Sequence, residues 1–280
     1  MISLLINSDI IPKISMAANS YASFQDLEDQ TEELLFVETQ ASRPPTACSS
    51  CEEARSLSLV RINGLTLRYV REPSDAVILE AVRKNGLALQ HVENQTEELC
   101  LIAVNQNGLA LEHVINQTEE ICIKAVRQYG HVLEHVINQT EEICIEAVKQ
   151  NAFAIRHVKE QTEAICLETA KRDPWRLNEI EHQTEEICLE AMKIDGRALH
   201  YVKHQTEEIC IAAVRQDPSA LQYVRDQTEE MCMIAMERIF KEEADLTRKE
   251  LEFIRDEELR EKVRQSVMNK RFLKTKSAKK

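Results

Sequence analysis

Hydrophobic and polar positions recur along most of this chain with one long period. In "QTEELCLIAVNQNGLALEHVIN", Gln95 to Asn116, an apolar run (Leu99, Cys100, Leu101, Ala103, Val104) precedes a polar Asn-Gln-Asn-Gly break. A second apolar set, Leu111 and Val114, follows. The order returns every 22 residues, marked by Gln95, Gln117, Gln139, Gln161, Gln183, Gln205 and Gln227, each followed by threonine. A weaker phase extends backwards: Pro73-Ser74-Asp75 takes the Gln-Thr-Glu slot, and Gly64 stands 22 residues before Gly86. This layout gives eight complete units from Cys51 to Asp226 and the first half of a ninth from Gln227. A period of this size predicts a solenoid, in which each unit buries its apolar face only by stacking on its neighbours.

Each unit reads as two short helices. Thr96 is a good N-cap for the first, and Glu97 and Glu98 sit where the helix dipole favours anions. The slot of Ile102 holds Lys124, Glu146, Glu168 and Glu190 in other units, so one narrow strip is wet and the rest is buried. Asp173-Pro174 and Asp217-Pro218 announce the second helix, with aspartate as cap and proline in the first position, where its missing N–H is harmless. Asn85-Gly86 and Asn107-Gly108 fill that slot elsewhere. Leu89/Val92, Leu111/Val114 and Leu133/Val136 mark its buried phase. Helices of roughly ten and eight residues fall below the ~12–15 needed for stability alone, so stacking is obligatory.

The expected fold class is therefore all-α: a solenoid of two-helix units over 51–226, a capping half-repeat with a long C-terminal helix over 227–272, and a disordered basic tail over 273–280. Residues 1–50 hold a partial repeat, "DQTEELLF" (Asp29 to Phe36), one residue out of phase and cut off by the linker "TQASRPPTACSSC". Between Thr228 and Phe272 glycine and proline are absent, and the apolar residues Leu246, Leu251, Ile254, Leu259, Val263 and Val267 keep no strict heptad.

Composition narrows the function classes. The net charge of −13 argues against a general nucleic-acid binder, whose footprint is basic. No apolar run approaches a membrane span, and "MISLLI" lacks the basic region and length of a signal peptide. A soluble, intracellular protein is expected, with no membrane. The segment from Lys262 to Lys280 carries eight basic and no acidic residues, leaving a net −21 on the remainder. Nucleic acid is an expected partner, if at all, only through this tail.

The pattern "QTEEICxEAVKQNGLALEHV" resembles the short helical repeats of the DUF4116 type, abundant in giant viruses that infect amoebae and in some intracellular bacteria. The resemblance covers about two-thirds of the chain, from Cys51 to roughly Arg238. It implies an α-helical repeat fold, a viral source and a host-cytoplasm or virion setting. It brings no catalytic motif.

Candidate chemistry is sparse. Cys100, Cys122, Cys144, Cys166, Cys188, Cys210 and Cys232 form a ladder, one per first helix. Packed helices lie ~8–10 Å apart, beyond the ~7 Å between Cα atoms that a disulfide allows. The ladder thus reads as small buried hydrophobes in a reducing compartment. The sequons at Asn94, Asn116 and Asn138 read as by-products of the repeat. Cys48 and Cys51 form an isolated C-x-x-C with no second ligand pair, and the i, i+4 pairs His131/His135 and His200/His204 lack the further ligands of a zinc site. No metal, cofactor or catalytic residue is assigned. Catalysis needs unlike groups converging on one place, whereas this chain spreads like groups along a line.

What remains is surface. The second position of the second helix holds Leu87, Leu109, His131, Phe153, Trp175, Arg197 and Ser219 in turn, and a His/Tyr slot follows four residues later. The stripe of Leu109, His113, His131, His135, Phe153, His157, Trp175, Tyr201 and Tyr223 is the candidate partner-binding surface, because aromatic anchors dominate hot spots. Half-burial of these residues against the next unit is the competing reading. Glutamates at the first-helix N-termini form an acidic ridge that repels nucleic acid. The functional expectation is a non-enzymatic protein-interaction scaffold. The alternative is a structural component of a large assembly such as a virion, anchored by the basic tail. A one-nucleotide-per-repeat RNA reader ranks third, since it requires a basic groove.

Overall fold

A computed structural model describes the backbone of residues 49–242 and 251–277, with side chains over 52–239 and 251–268. The Asp29–Phe36 half-repeat, the side chains of Cys48 and Cys51, Leu246 and the tail side chains beyond Met268 lie outside the described residues. The chain forms two compact units, Met1–Asn116 and Gln117–Lys280.

In the first unit, helices α1 (Ser49–Ile62), α2 (Asp75–Lys84) and α3 (Glu97–Gln106) alternate with short helices η1 (Gly64–Tyr69), η2 (Gly86–His91) and η3 (Gly108–His113). In the second, α4 (Glu119–Gln128), α5 (Glu141–Gln150), α6 (Glu163–Arg172), α7 (Glu185–Ile194), α8 (Glu207–Gln216) and α9 (Glu229–Glu242) alternate with η4 (Gly130–His135), η5 (Ala152–His157), η6 (Pro174–Glu179), η7 (Gly196–Tyr201) and η8 (Pro218–Tyr223), and α10 (Glu257–Ser277) closes the chain. Within each unit every α-helix packs on the next α-helix and every η-helix on the next η-helix. The result is an all-α repeat solenoid, two layers thick, with no strand among the described residues.

The second helix of each repeat is a six-residue 3-10 helix, where the sequence reading expects about eight residues of helix. The spacing of its inward residues explains the difference. Gly86, Leu89 and the C-cap Val92 are buried at intervals of three, with Ala88 buried beside Leu89, which matches a helix of three residues per turn. The boundary residue also does two jobs at once. Asn107 has extended backbone (φ −151°), gives its N–H to the Ala103 carbonyl to end α3, and accepts the Leu109 N–H on its side chain to begin η3. Asp173 and Asp217 act the same way ahead of proline. The 3-10 helix starts so close to the next α-helix that a Cβ on Gly196 would lie 2.3 Å from the Ala213 carbonyl oxygen.

The recurring glutamine is the main fastening. Its Nε2 donates to a backbone carbonyl 18 residues on, and its Oε1 accepts a backbone N–H 20 residues on. Gln95 holds His113 O and Ile115 N, and Gln205 holds Tyr223 O and Arg225 N, all at 2.8–3.0 Å. Gln117, Gln139, Gln161 and Gln183 repeat the pair. The cysteine five residues later points its thiol at the same oxygen, at 3.5 Å for Cys100 and 3.7 Å for Cys144 and Cys210. The cysteine is thus a small apolar residue that also carries a weak donor, a role not read from the sequence. Burial, helped by Glu141, pushes the Cys144 thiol up to about 11, which disfavours the reactive thiolate. A third ladder runs along the α-helix N-termini, where Thr140 and Thr206 donate to Glu119 and Glu185 of the preceding repeat at 2.7 Å.

At the C-terminus the expected long helix is interrupted. Gln227 clamps Phe253 O (2.8 Å) and Arg255 N (2.9 Å), 26 and 28 residues on instead of 18 and 20. Residues 251–256 therefore complete the ninth repeat, eight residues late. "LEFIRD" (Leu251–Asp256) reproduces "LQYVRD" (Leu221–Asp226), a match the 22-residue register hides. Asp256 then caps α10 by accepting the Leu259 N–H, and Ile254, Val263 and Val267 are buried against the last rungs. The α10 backbone is helical through Ser277, into residues assigned to a tail from the sequence.

Candidate partner-binding face

The η-helices display the sequence-predicted stripe, because their buried residues are spent on the α layer and their remaining side chains face away. In the first unit Leu109 is 37 % exposed and His113 half-buried. Neighbouring His91 is held below the usual histidine range, by burial first and then by Arg68 and His113.

In the second unit the stripe is knit together. Phe153 is 44 % exposed, and its ring lies under the Arg176 guanidinium at 3.7 Å, with Arg156 at 5.2 Å. Arg156 makes a two-point contact with Glu179 (2.7 and 2.8 Å), and Arg176 bridges Asp173 and Glu179 at 2.8 Å each. Partial burial pushes the Glu179 carboxyl up, but its bonds to Arg156 and Arg176 outweigh this and hold it below the ordinary range. Trp175 donates its indole N–H to Asp195 (3.2 Å) and meets Tyr201 edge-on at 5.7 Å. Arg197 lies over the indole at 5.8 Å and pairs with Asp195. His200 packs on Tyr201 at 4.9 Å and on Tyr223 at 5.2 Å.

The structure thus joins Phe153, through Arg176, to η6, which carries Trp175, and Trp175 meets Tyr201 of η7, the next rung. Trp175 and Tyr201 are half-buried against each other and Tyr223 is half-buried against His200, while Phe153 keeps the open face. His131 is exposed and packs on Tyr129 at 5.9 Å. His135 and His157 flank Glu134 at 3.4 and 3.9 Å. Among the described residues no three His, Cys, Asp or Glu side chains are placed to hold a metal ion. Sequence reasoning missed Tyr129, Arg156 and Arg176. Tyr129 was legible as an aromatic in the Asn/Asp boundary slot. The arginines were not, because their stacking on Phe153 depends on how two rungs align.

Fold and surface together define a class, the α-helical repeat solenoid in which one layer of 3-10 helices presents a graded aromatic face. The chain belongs to the family described as Domain of unknown function (DUF4116), which matches residues 77–117, 96–139, 118–162 and 184–237. No curated protein and no solved structure matches it. No helix among the described residues is long and apolar enough to cross a membrane.

Proposed function

We propose that the protein is a non-enzymatic scaffold that binds another protein through the 3-10 face of its second unit. The observation that supports this most directly is Phe153, a large aromatic left partly open to solvent with Arg156 and Arg176 stacked beside it. Aromatic and arginine side chains are the residues in which interface hot spots are enriched. Trp175 serves as the fixed floor beside it, since its N–H is already bonded to Asp195. The seven buried free thiols among the described residues suit a reducing, intracellular setting.

A photo-crosslinking residue at 153 tests the proposal in cells of the native source. It should capture a discrete protein that the same crosslinker on the opposite layer, at Lys149, does not. Phe153→Ser should leave the melting temperature nearly unchanged and weaken that capture by about 2 kcal/mol or more. Equal capture from both positions would sink the assignment of the face. Recovery only in stoichiometric association with a large particle would favour the assembly role.

A further inference from the structure

A second recurring contact marks a site elsewhere. Two residues before the clamp glutamine, on the loop leaving an η-helix, three repeats carry a cation that reaches back to the loop before it. Lys159 donates from Nζ to the carbonyls of Val136 (3.3 Å) and Ile137 (2.8 Å). Lys203 does the same to Ile180 (2.8 Å) and Glu181 (2.9 Å). Arg225 donates to Val202 (3.0 Å) and Lys203 (2.7 Å). Three repeats therefore use one backbone feature, two successive loop carbonyls, as a receptor for a side-chain cation.

In the first unit the equivalent carbonyls belong to Val92 and Glu93, and the equivalent cation slot is Ile115. The isoleucine side chain has no donor, so no cation from the Ile115 slot reaches this carbonyl pair. The Val92 carbonyl accepts only the long Gln95 contact at 3.3 Å, and among the described residues nothing donates to the Glu93 carbonyl. An open cavity of about 400 Å³ lies at this place, lined by His91, Val92, Glu93, Gln95, His113 and Ile115. Its parts suit one chemistry. The carbonyl pair receives an ammonium, the exposed Glu93 carboxylate adds opposite charge, and Ile115, 59 % exposed, offers an apolar wall to a methylene stem. In the second unit Ile137 and Glu181 also stand in the cation slot, but the position 22 residues before Ile137 is Ile115 and supplies no carboxylate, and Glu181 supplies no apolar wall.

We propose that the Val92–Glu93 loop pocket binds the side-chain ammonium of a lysine presented by another polypeptide, taking the place that Lys159 and Lys203 fill in their own repeats. The proposal does not rest on the face around Phe153 and Trp175, which lies in the other unit; of the sequence-predicted stripe, only His113 lines the pocket.

The probe is Nα-acetyl-lysine N-methylamide, titrated into the full ¹⁵N-labelled chain at constant ionic strength. Saturable shifts are expected at the Glu93 and Ile115 amides. The norleucine and Nε-acetyl-lysine analogues, which keep the stem and lose the charge, should give at least tenfold smaller responses. Ile115→Lys supplies the cation in cis and should abolish the response. Lys203→Ile empties a receptor of the same kind and should create a new response at Glu181. Absence of shifts at Glu93 in the unaltered chain overturns the proposal, as does an unchanged response in Ile115→Lys. Equal shifts with potassium chloride in place of the lysine derivative would make the pocket an alkali-ion site, which also overturns it.

Discussion

At the residue scale the repeat is organised around one glutamine. A carboxamide presents a donor and an acceptor from one planar group, so it can hold a carbonyl and an N–H of the same loop at once, as Gln205 does with Tyr223 and Arg225. Aspartate and glutamate lack the donor, and asparagine is one methylene short. This explains why Gln recurs in a slot that looks like ordinary polar surface. Gln205→Ala should destabilise the protein by about 1–3 kcal/mol, the cost of leaving two loop groups unpaired, read by denaturant unfolding. Gln205→Glu should cost as much at pH 7, because the carboxylate faces a carbonyl it cannot donate to. Its deficit should shrink on acidification toward pH 4, as the protonated carboxyl regains a donor. A deficit independent of pH would mean the clamp contributes shape alone.

At the element scale the 3-10 helices are short because both ends are fixed within six residues, by the Asn/Asp boundary and by the extended C-cap valine or isoleucine. The same economy explains the C-terminus. Leu251–Asp256 has the half-buried Leu251, the buried Ile254, and the carbonyl and N–H that the Gln227 clamp requires, so it docks in the place of a ninth second helix despite its longer connection. Ile254→Ala should therefore cost about 2–5 kcal/mol, the range for truncating a buried isoleucine. If residues 251–256 were merely part of a projecting helix, the change would register at a few tenths. Melting of the purified variant decides between them.

At the scale of the whole molecule, stability is a sum of rungs and their neighbour contacts, since each helix pair packs chiefly on the pairs beside it. Deleting Gln139 to Glu160 removes one full repeat and leaves every clamp with its partner in register. Per-residue helicity should be kept, with cooperative melting. Removing only Gln139 to Lys149 strands the Gln117 and Gln161 rungs on mismatched neighbours and should abolish cooperative melting. Circular dichroism on both deletions is the check, and identical behaviour would refute the 22-residue register.

Much of this was legible in the residues. The 22-residue spacing, the Thr caps, the Asp-Pro boundaries and the apolar phases Leu99/Cys100/Ala103/Val104 and Leu89/Val92 specify an all-α stacked repeat, because short helices with those faces have no stable alternative to stacking. The same pattern exposed Phe153, since a slot that also accepts Ser219 and Arg197 cannot require burial. The rest depended on what three-dimensional stacking brings together. Gln95 meets Ile115 across 20 residues, Cys144 meets the Gln139 oxygen, Arg176 covers Phe153 from the next rung, and Leu251–Asp256 returns to Gln227 after a longer path. Periodicity reports which face of an element is buried, but it carries no information about which polar atoms then lie within hydrogen-bonding reach. That is set by the offset between successive rungs, and only the folded backbone fixes it.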